Sequence, residues 1–323
     1  MRNKRLAALF LLCLTGLTGG CVTQSLNPLV QNEATGVPGL AMDVHAAVAS
    51  GENTDQVTVT LYFRYLEEPM LAGEQRVLTV PRDQSVELAI VRALVDGPSA
   101  GHSELKRLLP PTATVESVTS RDELLFVTFD AGLLTDDIPT DWAQDAHWQS
   151  EAPIQRRLAM QSIAASLTER FPYTGIQILV HRADQVQTDL RLQNSYFLTG
   201  ADGLSEPIPR EEEALLTPHN TVVAILTAWQ EHDLTRLYRY IADAGRPPFA
   251  TVAEAFAALP SLTQSVVSAG SVAADGQSAV VTVSLHTLRG GAQGATDGYP
   301  LLLTRENGVW KVDYARLLVL MGR

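Results

Sequence analysis

The sequence predicts an α+β fold in two domains, and three features of the chain support this prediction. Residues 55–182 alternate between strand-like and helix-like patterns in the order β-β-α-β-β-α-β. Residues 217–323 begin with helical patterns and end with antiparallel strands. Residues 183–216 are polar, with two prolines and an acidic run, and are predicted to be the linker. A chain of 323 residues is long enough for two separate cores.

The first domain is predicted from strand alternation and helical spacing. β-Favouring residues occupy five predicted strands, at 57–65, 74–81, 113–119, 124–130 and 175–180. Asp83 is the predicted N-cap of the first helix, which Gly97-Pro98 ends. Pro153 is predicted in the first turn of the second helix, where proline is tolerated. We therefore expect helices on one face of a sheet.

The second domain is predicted to begin with a capped helix at Thr217-Pro218. A bend is expected near His232-Asp233, within an apolar stripe formed by Val222, Leu226, Trp229, Leu237 and Tyr240. A later strand places Val281, Val283 and Leu285 on one face and Thr282, Ser284 and His286 on the other. Asn307-Gly308 between two apolar runs predicts a two-residue hairpin turn.

The amino terminus has the pattern of an export signal. A basic start at 1–5 precedes an apolar run at 6–17, and small residues lead to Cys21. We predict a signal peptide at 1–20 and a lipidated Cys21 followed by a flexible tether at 21–54. The alternative is an ordinary secretory signal with an incidental cysteine, because Thr18 stands where lipoprotein signals usually carry an aliphatic residue.

Charge and motifs restrict the function. The chain has 24 basic and 36 acidic side chains, and a net charge of −12 argues against nucleic acid as a partner. The chain lacks a Gly-x-Ser-x-Gly elbow, a His-Glu-x-x-His helix, a phosphate-binding glycine loop and a Cys-x-x-Cys pair. We therefore expect no catalytic residues, cofactor or metal. The glycine-rich stretch 290–294 is interpreted as a mobile hairpin loop.

Two groups of residues are candidate sites. Trp142 and Trp148 are predicted to form an exposed interaction surface, or alternatively to cover an edge of the core. The aspartates around them suggest either a calcium cluster or, more simply, a solvated acidic loop; they are Asp136, Asp137, Asp141 and Asp145.

The second group is in the carboxyl-terminal domain. Trp229, His286 and Trp310 are candidates for lining a ligand cavity, with an aromatic core as the alternative. His232, Asp233 and His286 are candidate acid–base residues, and the alternative is a solvated helix bend.

The first domain resembles the GerMN domain, known from a sporulation and spore-germination lipoprotein. The resemblance rests on an ordered set of short motifs: Leu61-Tyr62-Phe63, Leu94-Val95-Asp96-Gly97-Pro98, residues 109–115, Val127-Thr128-Phe129-Asp130, Phe171-Pro172 and residues 176–180. It covers residues 55–182. The second domain resembles, more weakly, the cone-shaped nuclear-transport-factor-like fold, through residues 228–233 and 308–313.

These resemblances imply a function without catalysis. GerMN-type domains look like packing modules of envelope assemblies, which implies a role in sporulation, germination or a cell-envelope complex. Together with the signal and Cys21, this predicts a lipid-anchored protein on the extracytoplasmic face of the cell membrane. The implied partners are envelope proteins or further copies of the chain. The alternative is a lipoprotein that binds a small molecule or peptidoglycan fragment in the carboxyl-terminal cone.

Overall fold

The computed structural model describes residues 53–135, 148–182 and 189–322. In these ranges the helices and strands of the amino-terminal half are β1 (Thr54–Tyr65), β2 (Leu71–Pro81), α1 (Val86–Asp96), β3 (Leu105–Lys106), β4 (Val115–Arg121), β5 (Leu124–Phe129), α2 (Gly132–Thr135), α3 (Trp148–Thr168), β6 (Gly175–His181) and β7 (Asp189–Arg191), and short 3₁₀ helices follow at Asn194–Tyr196 and Glu212–Ala214. Cys21, Trp142 and the four loop aspartates lie outside the described residues.

The carboxyl-terminal half begins with helices and continues as a sheet. Its elements are α4 (Pro218–Gln230), α5 (Leu234–Arg239), α6 (Phe249–Ala257), β8 (Ser261–Val267), β9 (Ser271–Val272), β10 (Ser278–Arg289), β11 (Ala292–Glu306), β12 (Val309–Val312) and α7 (Tyr314–Leu320). The α+β fold class is therefore confirmed.

Three sheets organise these strands. The first has the order β2-β1-β3, the second β4-β5-β6-β7, and the third β12-β11-β10-β8 with β9 also paired to β10. β5 and β6 are parallel, with Val127 opposite Ile178, whereas the other strand pairs are antiparallel. A parallel pair needs a crossover, and the chain between β5 and β6 includes α3.

The prediction of one sheet with helices on one face was wrong. α1 contacts β1 and β4, and α3 contacts β1 and β6, so both helices pack against two different sheets. The buried residues of α1 are apolar over more than one side of the helix, and they are Ile90, Val91, Ala93, Leu94 and Val95. A helix with a wide apolar face can pack against two sheets. A helix with one narrow apolar stripe can pack against only one.

Two helix starts also differ from the prediction. The N-cap of α1 is Ser85, whose hydroxyl accepts a hydrogen bond from the amide of Leu88 at 3.2 Å, and not Asp83. α3 begins at Trp148, so Pro153 lies inside the helix and not in its first residues. Both errors concern helix ends, where several neighbouring polar residues can serve as caps.

The segment predicted as a linker is packed from residue 189 onward. Ile208 pairs with Ile176 of β6, and Leu215 pairs with Leu71 of β2. Arg210 donates to the Glu169 carboxylate at 2.5 Å and lies over the ring of Tyr62. Burial and the charge of Glu169 raise the pKa of Tyr62 to about 12, so its hydroxyl stays neutral at physiological pH.

The carboxyl-terminal half follows several local predictions. Thr217 caps α4 with Pro218 at the start of the helix, and Asn307-Gly308 connects β11 to β12. α4 ends before His232, which has a positive φ of 59°, so the bend is present. Gly290 and Gly291 form the turn between β10 and β11. The sequence did not predict α6, β8, β9 or α7.

A single hydrophobic cluster extends through both halves, from Val59 to Met321. The described residues from 53 onward belong to one compact unit. None of the helices in the described ranges is long and apolar enough to cross a membrane. The division into two domains at 182 and 217, and the cone-shaped cavity, stay predictions.

Candidate functional site

The two halves meet along a polar contact that we call the seam. It joins residues 64–76 and 97–107 of the amino-terminal half to residues 231–246 and 303–312 of the carboxyl-terminal half. The seam positions the residues described below because β1, β2 and the β11–β12 hairpin hold their backbones in register. It is also the place where the described residues concentrate buried charge.

Glu68 and Arg236 form a buried ion pair in the seam. The guanidinium donates three hydrogen bonds to the carboxylate, at 2.7, 2.8 and 3.1 Å. Glu68 is only 4% exposed, so an unpaired carboxylate there would be strongly unfavourable. Asp233 caps α5 by accepting from the amide of Arg236, which places that arginine in the first turn facing Glu68.

Two tyrosines pack beside this ion pair. The rings of Tyr65 and Tyr240 lie 5.8 Å apart at a tilt of 50°, and the Tyr65 hydroxyl donates to the carbonyl of Arg239. Burial raises the pKa of both hydroxyls well above the ordinary value, and nearby carboxylates add to the effect. Both side chains therefore remain neutral, and their arrangement favours packing over proton transfer.

A backbone-to-backbone contact completes the seam. The turn at Asn307-Gly308 rests on Gly73 of β2, and a Cβ added at Gly308 would overlap the carbonyl oxygen of Gly73. Gly308 also has a φ of +85°, a conformation that other residues rarely adopt. Glycine is therefore required here both by the close approach and by the turn.

Lys311 is a buried cation of the seam. Its Nζ lies 3.6 Å from Glu104, 3.7 Å from Asp243 and 4.0 Å from Glu306. These distances are longer than direct hydrogen bonds, so the contacts are charge–charge contacts within ion-pair range. Glu104 and Asp243 also line a cavity of about 240 Å³, together with His102, Arg246 and Asn307.

The charged groups of the seam are paired by ion pairs and hydrogen bonds within the protein. In the described ranges, no group of three or more His, Cys, Asp or Glu side chains is placed to hold a metal ion. Glu74 is buried on β2, 3.9 Å from Nδ1 of His102, and accepts from Arg76 at 2.7 Å and from the amide of Ser99 at 3.1 Å. The buried charges are thus matched by neighbours of opposite sign or by amide donors.

The three residues predicted to line a ligand cavity differ in burial. Trp229 is buried on α4, and Trp310 is buried on β12 with the guanidinium of Arg305 over its ring. His286 is exposed, on the face of β10 opposite to buried Val283 and Leu285. Trp229, His286 and Trp310 do not line the described cavities around Glu104, Met160, Thr296 and Arg305.

The predicted interaction surface is only partly described. Trp148 is half-buried at the first residue of α3, and Trp142 lies outside the described residues.

The seam residues were not predicted from the sequence. A usable signal was Lys311, since a lysine inside the otherwise apolar strand Val309–Val312 must find acidic partners if it is buried.

Comparison with known proteins identifies the first half. The family model named Germane, described as "Sporulation and spore germination", matches residues 60–183, from β1 to just after β6. No curated protein matches the chain.

Three solved structures are similar to parts of the chain. The tandem GerMN domains of the sporulation protein GerM from Bacillus subtilis share 17% identity over 53% of this chain and 50% of that one, with a TM-score of 0.33. A protein described as a lipoprotein from Clostridium perfringens shares 20% identity over 49% and 89% of the two chains, with a TM-score of 0.27. The first GerMN domain of GerM shares 15% identity over 48% and 98%, with a TM-score of 0.29.

This chain therefore spans half the length of the tandem-domain structure. The match of the family model agrees with the ordered motifs found between residues 61 and 180. Residues 60–183 of this chain form a GerMN-like domain of the sporulation and spore-germination type.

Proposed function

We propose that this chain is a lipid-anchored, non-enzymatic protein of the cell envelope that acts as an assembly module in sporulation or spore germination. The observation that carries the proposal is the match of residues 60–183 to the sporulation and spore-germination family. The GerMN-like domain supplies the packing surface, and Cys21 supplies the membrane anchor. The partners are envelope proteins or further copies of the chain.

The seam supports an assembly function over an enzymatic one. Its buried charges are held by partners within the protein, as in the pair between Glu68 and Arg236. Such buried ion pairs and hydrogen bonds hold the carboxyl-terminal half against the GerMN-like domain. An assembly module benefits from such a joint, because both halves are then presented to a partner in one orientation.

The anchor is tested by changing Cys21→Ser in the full chain. Two acyl chains hold a protein stably on a bilayer, whereas a chain without them has only its own surface to bind with. We expect the variant to leave the membrane fraction or to accumulate as an uncleaved precursor, as measured by fractionation and mass spectrometry. Cys13→Ser is the matched control and should change neither property. Unchanged processing and membrane association of Cys21→Ser would refute the lipid anchor.

The assembly function is tested by cross-linking intact cells and purifying the full chain from envelopes. We expect a reproducible set of envelope proteins or a ladder of multimers. The double substitution Trp142→Ala and Trp148→Ala should reduce the yield if these residues form the interaction surface. Phe249→Ala removes an exposed aromatic ring from the other half and is the matched control. Recovery of the monomer alone from cross-linked cells would contradict the proposal.

A further inference from the structure

Asn307-Gly308 is the only Asn-Gly pair in the sequence, and it forms the turn between β11 and β12. An asparagine followed by glycine is chemically labile, because glycine has no Cβ to hinder attack of its amide nitrogen on the preceding side chain. Asn307 is exposed. Within the described residues, neither its side-chain amide nor the amide N–H of Gly308 makes a hydrogen bond, so no partner protects the two reacting groups.

Two other asparagines of the described ranges are better protected. The side-chain amide of Asn194 donates to the carbonyl of Asp202 at 3.0 Å, and that of Asn220 donates to the carbonyl of Leu215 at 2.7 Å. The residue that follows each of them is a serine or a threonine, whose Cβ hinders the same attack. The structure therefore singles out Asn307 as the reactive asparagine.

The fold requires this labile pair at the seam. Gly308 has a φ of +85°, and an added Cβ would overlap the carbonyl oxygen of Gly73, so glycine cannot be exchanged at this position without loss. Asn307 also lines two cavities between the halves, of about 240 and 180 Å³, together with His102. A chemical change at Asn307 therefore takes place where the two halves are held together.

We propose that Asn307-Gly308 deamidates spontaneously and that its isoaspartate product opens the seam at the β11–β12 hairpin. The amide nitrogen of Gly308 attacks Cγ of Asn307, the Cγ–Nδ2 bond breaks, and ammonia leaves with the amide proton. Water then opens the cyclic imide. Cleavage of the imide bond to Cγ gives aspartate, and cleavage of the bond to the α-carbonyl carbon gives isoaspartate. The site lies outside residues 60–183, and its chemistry does not depend on the proposed function.

Isoaspartate changes the backbone of the turn, whereas aspartate changes only its charge. In isoaspartate the main chain runs through Cβ and Cγ, which adds a methylene group to a two-residue turn. The pairing of Glu306 with Val309 depends on the length of that turn, and the contact with Gly73 leaves no room for a longer one. Asp-Gly and Asn-Gly suit the same turn, so aspartate at 307 should keep the hairpin closed.

The closed hairpin slows the first step of the reaction. Attack on Cγ requires the backbone of the turn to rotate, and the pairing of Glu306 with Val309 restricts that rotation. The reaction therefore starts from molecules in which the hairpin has opened, and such local opening is a normal equilibrium of folded proteins. A variant with a weakened seam should consequently deamidate faster.

Peptide mapping of the full chain tests the reaction. The folded chain is incubated in detergent at mildly alkaline pH, where the attacking amide loses its proton more readily. Trypsin then releases residues 306–311 as a peptide in which Asn307 is the only asparagine. We expect mass spectrometry to show aspartate and isoaspartate accumulating at position 307. Asn194 and Asn220 are the internal controls and should remain intact over the same period.

Seam variants test the dependence on hairpin opening. Lys311→Met removes the cation that lies among three carboxylates of the seam, and it should accelerate deamidation. Arg236→Met is a second seam variant with the same expected result. Arg82→Met breaks an exposed ion pair outside the seam and should leave the rate unchanged. Circular dichroism checks that each variant is folded during the incubation.

Native-state proteolysis measures the effect on the seam. Lys311 is 2% exposed, so trypsin cuts after it only when the hairpin opens. The deamidated chain, isolated by anion exchange, is compared with Asn307→Asp, which carries the same charge on an unaltered backbone. We expect the isoaspartate form to be cut about tenfold faster than Asn307→Asp, the ratio that corresponds to about 1.4 kcal/mol lost from the closed hairpin.

Three results would overturn the proposal. One is a folded chain in which Asn307 stays intact while the same asparagine deamidates in urea. Another is an isoaspartate form that trypsin cuts after Lys311 no faster than Asn307→Asp. The third is an equal rate of deamidation in the two seam variants and in Arg82→Met, which would show that the seam does not control the reaction.

Discussion

Glu74 shows how this protein accommodates a carboxylate away from water. Burial alone would raise the pKa of Glu74, but hydrogen bonds from Arg76 and from the amide of Ser99 outweigh it and hold the pKa below its ordinary value of 4.5. The side chain is almost completely buried, so these donors are its main compensation. A charge held in this way contributes to stability only while it is ionised.

The pH dependence of stability follows from the sign of this shift. A pKa that is lower in the folded state means that the stabilisation is present above about pH 4.5 and is lost as the pH falls through the folded value. We expect Glu74→Gln to lower the free energy of unfolding at pH 7 by about 1 to 3 kcal/mol. The difference from the unmodified chain should shrink between pH 5 and pH 3, which urea unfolding at each pH measures.

Glu206→Gln is the control for this prediction. It removes one carboxylate whose side chain is largely exposed, and an exposed ion pair contributes little to stability. Its stability should therefore follow that of the unmodified chain at every pH. A Glu74→Gln variant with the same deficit at pH 3 as at pH 7 would show that the charge of Glu74 does not stabilise the fold.

At the scale of elements, the β11–β12 hairpin reverses the chain at Asn307-Gly308 and also packs against Gly73 of β2. Gly308→Ala should cost about 1 to 2 kcal/mol for the positive φ and about 1 to 3 kcal/mol more for the overlap with Gly73. Gly203→Ala is a close control, because Gly203 has a φ of +86° and nothing within 4 Å of an added Cβ. Chemical denaturation measures the loss in free energy of unfolding for each variant, and the difference between the two losses is the contribution of the contact with Gly73. Equal losses would show that the stability of the hairpin does not depend on this contact.

The elements that were predicted correctly are those specified by nearby residues. Asn307-Gly308 adopts positive φ at both positions, which these residue types tolerate, so the dipeptide was sufficient to predict the turn. β8 was missed because Ser261–Val267 is mostly polar and exposed and has no apolar alternation. α6 was missed because it is only 9 residues long and has no side-chain cap at Pro248.

The seam could not be predicted for a different reason. Glu68 and Arg236 are 168 residues apart, and neither has an unusual neighbour in sequence that would indicate a buried partner. Pairing at this distance depends on how three sheets are arranged, which periodicity alone does not determine. For the same reason the sequence could not decide whether Trp229, His286 and Trp310 line one cavity, although strand alternation correctly predicted His286 on the face of β10 opposite to Val283.

At the scale of the whole molecule, the continuous core and the seam predict that both halves unfold together. The four tryptophans allow a direct measurement, since Trp142 and Trp148 are in the first half and Trp229 and Trp310 are in the second. In a full chain carrying Trp142→Phe and Trp148→Phe, fluorescence reports the second half and far-ultraviolet circular dichroism reports both. We expect the two urea transitions to coincide, which is the signature of a cooperative unit.

Breaking the seam should separate these transitions. Arg236→Met leaves the buried carboxylate of Glu68 unpaired, at a cost of about 3 to 5 kcal/mol for a buried pair. Because the lost ion pair connects the two halves, the midpoints of urea unfolding measured by fluorescence and by circular dichroism should differ. Arg82→Met breaks an exposed ion pair with Asp55 and should keep them together. Distinct midpoints in the parent chain would mean that each half is stable on its own and that the seam only aligns them.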